Sequence, residues 1–257
     1  MVFYAACYKI LETARRRRFP FSLARNNKMK MSIIVLSALL TLASTIASSR
    51  KEDVASSAKS DDVYVVEKVE GSVDWNSIPT TLIDKVLWGE DVGVRAQGQL
   101  CHDDENLYVH LSATEKDIRA ENTAPLSPVH EDSCLEFFFS LDDGANYFNF
   151  EINPNGCLCL QFGPERSKRI DIVKRNAAEY FDIQTNRTSD GWEVFYRIPL
   201  DFIRLFYRDY RFEGDFTANM YKCGDKTAHK HYLSRTPIDL ETPNFHCPEY
   251  FREMRFE

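Results

Sequence analysis

Residues 130 to 156, HEDSCLEFFFSLDDGANYFNFEINPNG, constrain this chain more than any other stretch. In its first half Leu135, Phe137, Phe139 and Leu141 share one parity, and Cys134, Glu136, Phe138 and Ser140 share the other. In its second half Phe148, Phe150 and Ile152 alternate with Tyr147, Asn149, Glu151 and Asn153. A period of two is the pattern of a half-buried β-strand. The acidic segment Asp142-Asp143-Gly144 between the halves predicts a turn, and the whole predicts a hairpin. Its polar face is unusual in carrying carboxylates and amides. Such a face can hydrogen-bond a polyhydroxylated ligand; the plainer reading is a solvated strand face with ordinary cross-strand pairs.

The remaining pattern is also that of strands. Residues 63–69, 93–101, 106–114, 156–163, 181–187, 191–198, 215–223 and 231–235 read as strands, most of them separated by turn signals such as His102-Asp103-Asp104-Glu105, Asn153-Pro154-Asn155-Gly156 and Ser189-Asp190-Gly191. Residues 75–88 read as a loop with one helical turn, and 199–207 as the single helix, with Pro199 at its first turn and Leu200, Ile203 and Phe206 or Tyr207 at helical spacing. The tail from Pro243 to Phe256 is rich in Pro and aromatics and must pack on the body. The expected fold is all-β: a jelly-roll-like β-sandwich of about ten strands with one short helix.

The apolar run of residues 33–47, preceded by basic and followed by small residues, predicts a secretory signal and an exported, periplasmic or extracellular protein without a stable membrane anchor after cleavage. Met29 or Met31 would start an ordinary signal peptide, so residues 1–28 read as an upstream extension. Residues 1–49 thus form the signal region, the Ser-rich residues 50–62 a linker, and residues 63–257 the folded domain. Residues 1–49 carry eight Lys or Arg and one acid; subtracting that +7 from the net charge of −7 leaves −14 for the rest. So acidic a body excludes binding of nucleic acid through phosphates and suits a neutral ligand or a metal. Six of the seven cysteines fall in the body, where buried free thiols are the expected state. No Cys-x-x-Cys pair marks a zinc ribbon.

Several groups carry possible chemistry. Glu136, Asn149, Glu151 and Asn153 would share the polar face, with His130, Tyr221 or Phe245 for stacking. Glu136 and Glu151 are also a candidate acid/base pair of a glycoside hydrolase, although 39 acids make such pairs easy to find. Among His130, His229, His231 and His246, His231 with Met220 offers a haem-type axial pair, against the commoner case of unliganded imidazoles. The two acidic turns do not have the spaced ligand pattern of a calcium loop.

The segments PVHEDSCLEFFF (128–139), YFNFEINPNG (147–156), DGWEVFYRIPL (190–200), NMYKCGD (219–225), HYLSRTPI (231–238) and PNFHCPEYF (243–251) together resemble the family 9 carbohydrate-binding modules, over residues 63–257. The resemblance implies a β-sandwich that binds an oligo- or polysaccharide without catalysis. It maps the family's sugar-bonding Glu onto Glu136 and its ligand-site Asn onto Asn153; Glu151 stands where the family has a ligand-binding Arg. The family's two clamping Trp fall near Val129 or His130 and near Phe245, and Trp75, Trp88 and Trp192 match neither, Trp192 reading as core. The calcium known in the family finds no placeable site, so no cofactor is assigned. The expectation is a non-enzymatic saccharide-binding domain in support of carbohydrate catabolism. A haem or redox domain of the same sandwich type and a glycoside hydrolase remain the alternatives.

Overall fold

The computed structural model describes residues 63–257; the expected signal region and linker lie outside the described residues. In chain order the strands are β1 (Tyr64–Lys68), β2 (Thr81–Ile83), β3 (Lys85–Val86), β4 (Arg95–His102), β5 (Asn106–Thr114), β6 (Cys134–Ser140), β7 (Tyr147–Ile152), β8 (Leu158–Gly163), β9 (Ile170–Asp171), β10 (Gln184–Arg187), β11 (Gly191–Pro199), β12 (Gly214–Gly224), β13 (His231–Ser234) and β14 (Arg252–Phe256). One layer runs β9-β8-β7-β6-β12-β14, and the other β10-β11-β5-β4. Strand β1 joins them: Tyr64 to Val66 pair with β14 and Glu67 and Lys68 with β4, both in parallel. A strand that changes sheet in this way makes the corner of a sandwich. The all-β sandwich is the fold that the alternation predicts.

The hairpin of β6 and β7 sits near the middle of its layer, with β12 beyond β6 and β8 beyond β7. Its register puts Glu136 opposite Glu151 and Phe137 opposite Phe150. The Phe parity faces the space between the layers, where Leu135, Phe137, Phe139, Phe148, Phe150 and Ile152 meet Trp192, Tyr196 and Phe202 in one core. Trp192 is sealed there, as its strand position predicts. The other parity is not a solvated face. Every residue of both strands is buried, because the segment after β13 folds back over the sheet. Phe245 and Phe251 from that segment pack with Cys134, Phe138, Tyr147 and Tyr221 in a second, smaller core. The aromatic tail therefore does pack on the body, and it turns the polar face from a surface into a floor.

Four strands, β2, β3, β9 and β14, exceed the expected ten. The first three have two or three residues, too few to display alternation. The region of Trp75 to Trp88 holds β2 and β3 in place of the expected helical turn. The helix expected over 199–207 is one α-turn, α2 (Leu200–Ile203), and another single turn, α1 (Ala177–Tyr180), precedes β10. Beyond Ile203 the chain continues as turns, and Phe206 packs edge-on to Phe148 at 5.0 Å. A residue every third or fourth position served here to cap the core, which does not require a continuous helix. The six described cysteines are free thiols, all buried except the partly exposed Cys159. Among the described residues no helix is long and apolar enough to cross a membrane.

Candidate functional site

The covering segment leaves a cleft of about 310 Å³ over the hairpin floor. Four of the seven residues expected at a binding surface line it: Glu136, Glu151, His130 and Phe245. Trp88, Arg169, Gln161, Asp225 and Tyr232 are among the residues of its walls. One wall is aromatic. Trp88 lies 5.7 Å from Phe245 and 5.7 Å from Tyr232, measured between ring centroids. Its indole N–H donates to the Leu240 carbonyl at 2.5 Å, which fixes the ring against the covering segment. Phe245 is in turn stacked on Tyr221 at 4.2 Å with the planes 8° apart.

The floor is polar and short of compensating charge. Glu136 is 2% exposed, and Glu151, its direct partner across the strands, 5%. Burial, followed by repulsion from Glu151, pushes the Glu136 carboxyl well above the usual range, although the Cys223 thiol donates to it at 2.9 Å. Burial also raises Glu151, opposed by the charges of His130 and Arg169 and by the amide of Asn149. Burial that disfavours ionisation favours the protonated carboxyl, which both donates and accepts, over the carboxylate, which only accepts. Both functions are needed to recognise a sugar hydroxyl.

Three expected ligand residues stand behind the cleft and do not line it. Asn149 accepts from Arg169 at 2.9 Å and donates to Glu151 at 2.9 Å, so it links the cation to the floor. Tyr221 lies under Phe245, its hydroxyl bonded to the Phe245 carbonyl at 3.2 Å. Asn153 belongs to the turn after β7: its amide donates to Asp132 at 2.8 Å, and its carbonyl accepts from the amides of Asn155 and Cys157. Strand parity grouped Asn149 and Asn153 with the floor, but it could not say which neighbours would cover them, and it was not what brought in Tyr221.

Trp88, Arg169 and Gln161 went unseen in the sequence. Trp88 sits after β3 with a φ of 45°, where a bulky residue is rare. Gln161 has the parity of Glu151 one strand further on, and its register partner is Asn149. That parity was the one available signal. Val129, near one place expected of a clamping Trp, is fully buried, whereas His130 reaches the cleft. His246 also lines it. Burial and the nearby arginines hold its pKa down to about 2, so the ring is neutral, with its Nδ1 3.2 Å from the Tyr147 hydroxyl.

The haem pair is not assembled. Met220 is buried between the layers, where its sulfur fills the space a Cβ at Gly98 would need. Both ring nitrogens of His231 are engaged, one by the His229 carbonyl at 2.7 Å and one by the Lys222 ammonium at 2.8 Å. In both acidic turns one carboxylate is engaged by neighbouring donors. Asp103 is spent on the amides of Glu105 and Asn106 and the Tyr108 hydroxyl, and Asp142 on Asn146, Ser140 and Tyr207.

A family pattern described as carbohydrate-binding family 9 matches residues 67–256. The chain belongs to carbohydrate-binding family 9. Among solved structures it is similar to a "putative carbohydrate-binding protein" from Bacteroides uniformis, at 27% identity and a TM-score of 0.65, covering 76% of this chain and 99% of that one. It also shares its fold with a family 9 module from Caldicellulosiruptor kristjanssonii. The module solved with cellotriose is 13% identical with a TM-score of 0.54, over 76% of this chain and 94% of that one. The glucose complex gives 14% and 0.54, over 76% and 96%. A comparison with curated proteins returns no match. Within this family 9 chain the Glu-Asp-Ser motif divides its labour. Asp132 gathers Asn122 and Asn153, Ser133 holds the Arg119 amide at 3.0 Å, and Glu136 alone reaches the cleft floor.

Proposed function

We propose that the cleft binds the end of an oligo- or polysaccharide chain without cleaving it, in an exported protein that serves carbohydrate breakdown. The observation that carries this reading is the joining of an aromatic wall, Trp88 and Phe245, to a floor of Glu136 and Glu151 in a chain of family 9. The wall takes the C–H face of a pyranose ring and the floor its hydroxyls. Arg169, held by Asn149, supplies further donors at the rim. The Caldicellulosiruptor modules solved with cellotriose and glucose make β-glucan ends the first ligands to try.

Glu136 and Glu151 are side by side on one sheet face. The carboxyls of a glycoside hydrolase must flank the scissile bond from two sides, so this pair is built to hold a sugar and not to cut one. A glycan array probed with wild type and Glu136→Ala is the test. The wild type binds a restricted set of glycans, the variant loses them, and incubation with the bound oligosaccharide releases no product. A wild type that binds no glycan overturns the proposal. N-terminal sequencing of the secreted protein tests export: the new terminus falls shortly after residue 47.

A further inference from the structure

The cleft floor holds a second chemistry, which shares Glu136 with the proposed sugar site and adds two thiols that sugar binding does not use. Cys134 on β6 and Cys223 on β12 are direct partners across the two strands. They share the outer face with Glu136, two residues along β6 from Cys134. The two sulfurs and a Glu136 oxygen all lie within 4.8 Å of one another. Among the described residues no other three His, Cys, Asp or Glu side chains bring their ligand atoms so close. Cys134 is 0% exposed and Cys223 2%, yet Cys223 and Glu136 line the cleft, which gives an ion a way in.

We propose that Cys134, Cys223 and Glu136 form a binding site for a thiophilic divalent cation, Zn²⁺ or its analogue Cd²⁺, with the fourth coordination position open to the cleft. Zn–S bonds of about 2.3 Å and Zn–O bonds of about 2.0–2.2 Å place tetrahedral ligands roughly 3.5–3.8 Å apart. The three atoms lie within 4.8 Å of one another, with the Cys223 sulfur and a Glu136 oxygen at 2.9 Å, so the ion would have to part that pair by side-chain rotation. Two thiolates and a carboxylate favour zinc over calcium or magnesium, which prefer oxygen ligands alone. On binding, the two thiol protons leave to solvent, together with any proton on Glu136, and three anionic ligands face one dication. No cation is ion-paired directly to Glu136 among the described residues, although Arg169 and His130 line the same cleft. The metal would provide one. The site depends on the thiols and not on the sugar, so it stands or falls apart from saccharide binding.

The test uses the reduced full-length protein, stripped with a chelator and titrated with Cd²⁺ alone. The wild type develops the ultraviolet thiolate-to-cadmium charge-transfer band, saturating at one ion per chain, and excess Zn²⁺ removes it. Cys134→Ser and Cys223→Ser each lose at least half of the band, Glu136→Gln binds Zn²⁺ at least tenfold more weakly, and Cys101→Ala behaves as wild type. Circular dichroism confirms that each variant is folded; should a serine variant not fold, the wild-type band and its displacement by Zn²⁺ still decide. Absence of the band in wild type, or its survival at full height in folded Cys134→Ser and Cys223→Ser, overturns the proposal. Glycan binding, measured separately in chelator, reports on the sugar site alone.

Discussion

Glu115 and Glu136 are both nearly sealed from water, at 5% and 2% exposure, and both face strand β12. They are treated in opposite ways. Glu115 follows β5 and reaches into the space between the layers, where the Lys222 ammonium meets it at 3.1 Å. Trp192 donates to the same oxygen at 3.3 Å, and His231 lies 3.6 Å from the other. Lys222 is fully buried and also bonds the Cys223 carbonyl and His231. One residue along β12, on the opposite face, Glu136 has only a thiol for a donor and a second glutamate for a neighbour. A buried carboxylate with a fitted lysine holds the two layers in register. A buried carboxyl without one remains a cost that the fold tolerates, and such costs gather where a ligand is to be met.

If this division is correct, substitutions at the two glutamates will separate stability from binding. The largest effect is expected at Lys222. Lys222→Met strands Glu115 in the interior, and breaking a buried pair from one side costs about 3–5 kcal/mol. Urea unfolding should show that loss, and Glu115→Gln in the same chain should recover a good part of it. If Lys222→Met were as stable as wild type, the triad would have no structural role. At the floor the signs reverse. Glu151→Gln relieves the repulsion on Glu136 and keeps the contact with Asn149, so stability stays level or rises. Saccharide affinity falls roughly tenfold to a hundredfold, the worth of a hydrogen bond to a charged group. Calorimetric titration with the best glycan from the array reads the second effect and thermal unfolding the first.

The Glu136 side of this contrast was legible in the sequence, and the reason is parity. Alternation assigned the residues of β6 and β7 to the correct faces, and the Phe parity to the interior. It also grouped Glu136 with Glu151. What parity cannot supply is the partner from a distant segment. The pairing of Glu115 with Lys222 joins two strands in different layers. Trp88 reaches the cleft from a short irregular stretch, and Arg169 from the loop between β8 and β9. The burial of Tyr221 depended on a tail whose path no local pattern specified, and that of Asn153 on the loop of Asn122 and on Asp132.

The aromatic wall gives a smaller effect on the binding side alone. Trp88→Ala removes one ring facing the cleft and leaves the Tyr221–Phe245 stack beneath it intact. An aromatic contact of this kind is worth about 0.5–1.5 kcal/mol, so affinity should fall by a factor of roughly two to ten. The urea midpoint should move little, because Trp88 belongs to the margin of the smaller core. An unchanged affinity would remove Trp88 from the site and leave stacking to Phe245 and the other rings of the cleft, Tyr232 among them.

The least conspicuous difference between the two glutamates is their response to acid. His231, beside Glu115, has its pKa held down to about 4 by burial and by the Lys222 ammonium, against the pull of Glu115, Asp225 and the His229 carbonyl. An unfolded histidine titrates near 6.5. Between those values the unfolded chain binds the extra proton, so this histidine's contribution is intact above pH 6.5 and is lost as the pH falls toward 4. The carboxyls of Glu136 and Glu151 act in the other direction: raised in the fold, they favour the native state in acid and weaken it as the pH climbs through their folded values. Unfolding midpoints measured in chelator across this range should therefore lose part of their acid-side slope in His231→Asn and part of their opposing slope in Glu151→Gln. Lys222 must remain in both variants, because its charge is one of the two forces that keep His231 neutral. If His231→Asn left the acid-side slope as steep as in wild type, the proton would be entering elsewhere. The similarly depressed His246, on the cleft side, would then be the residue to replace.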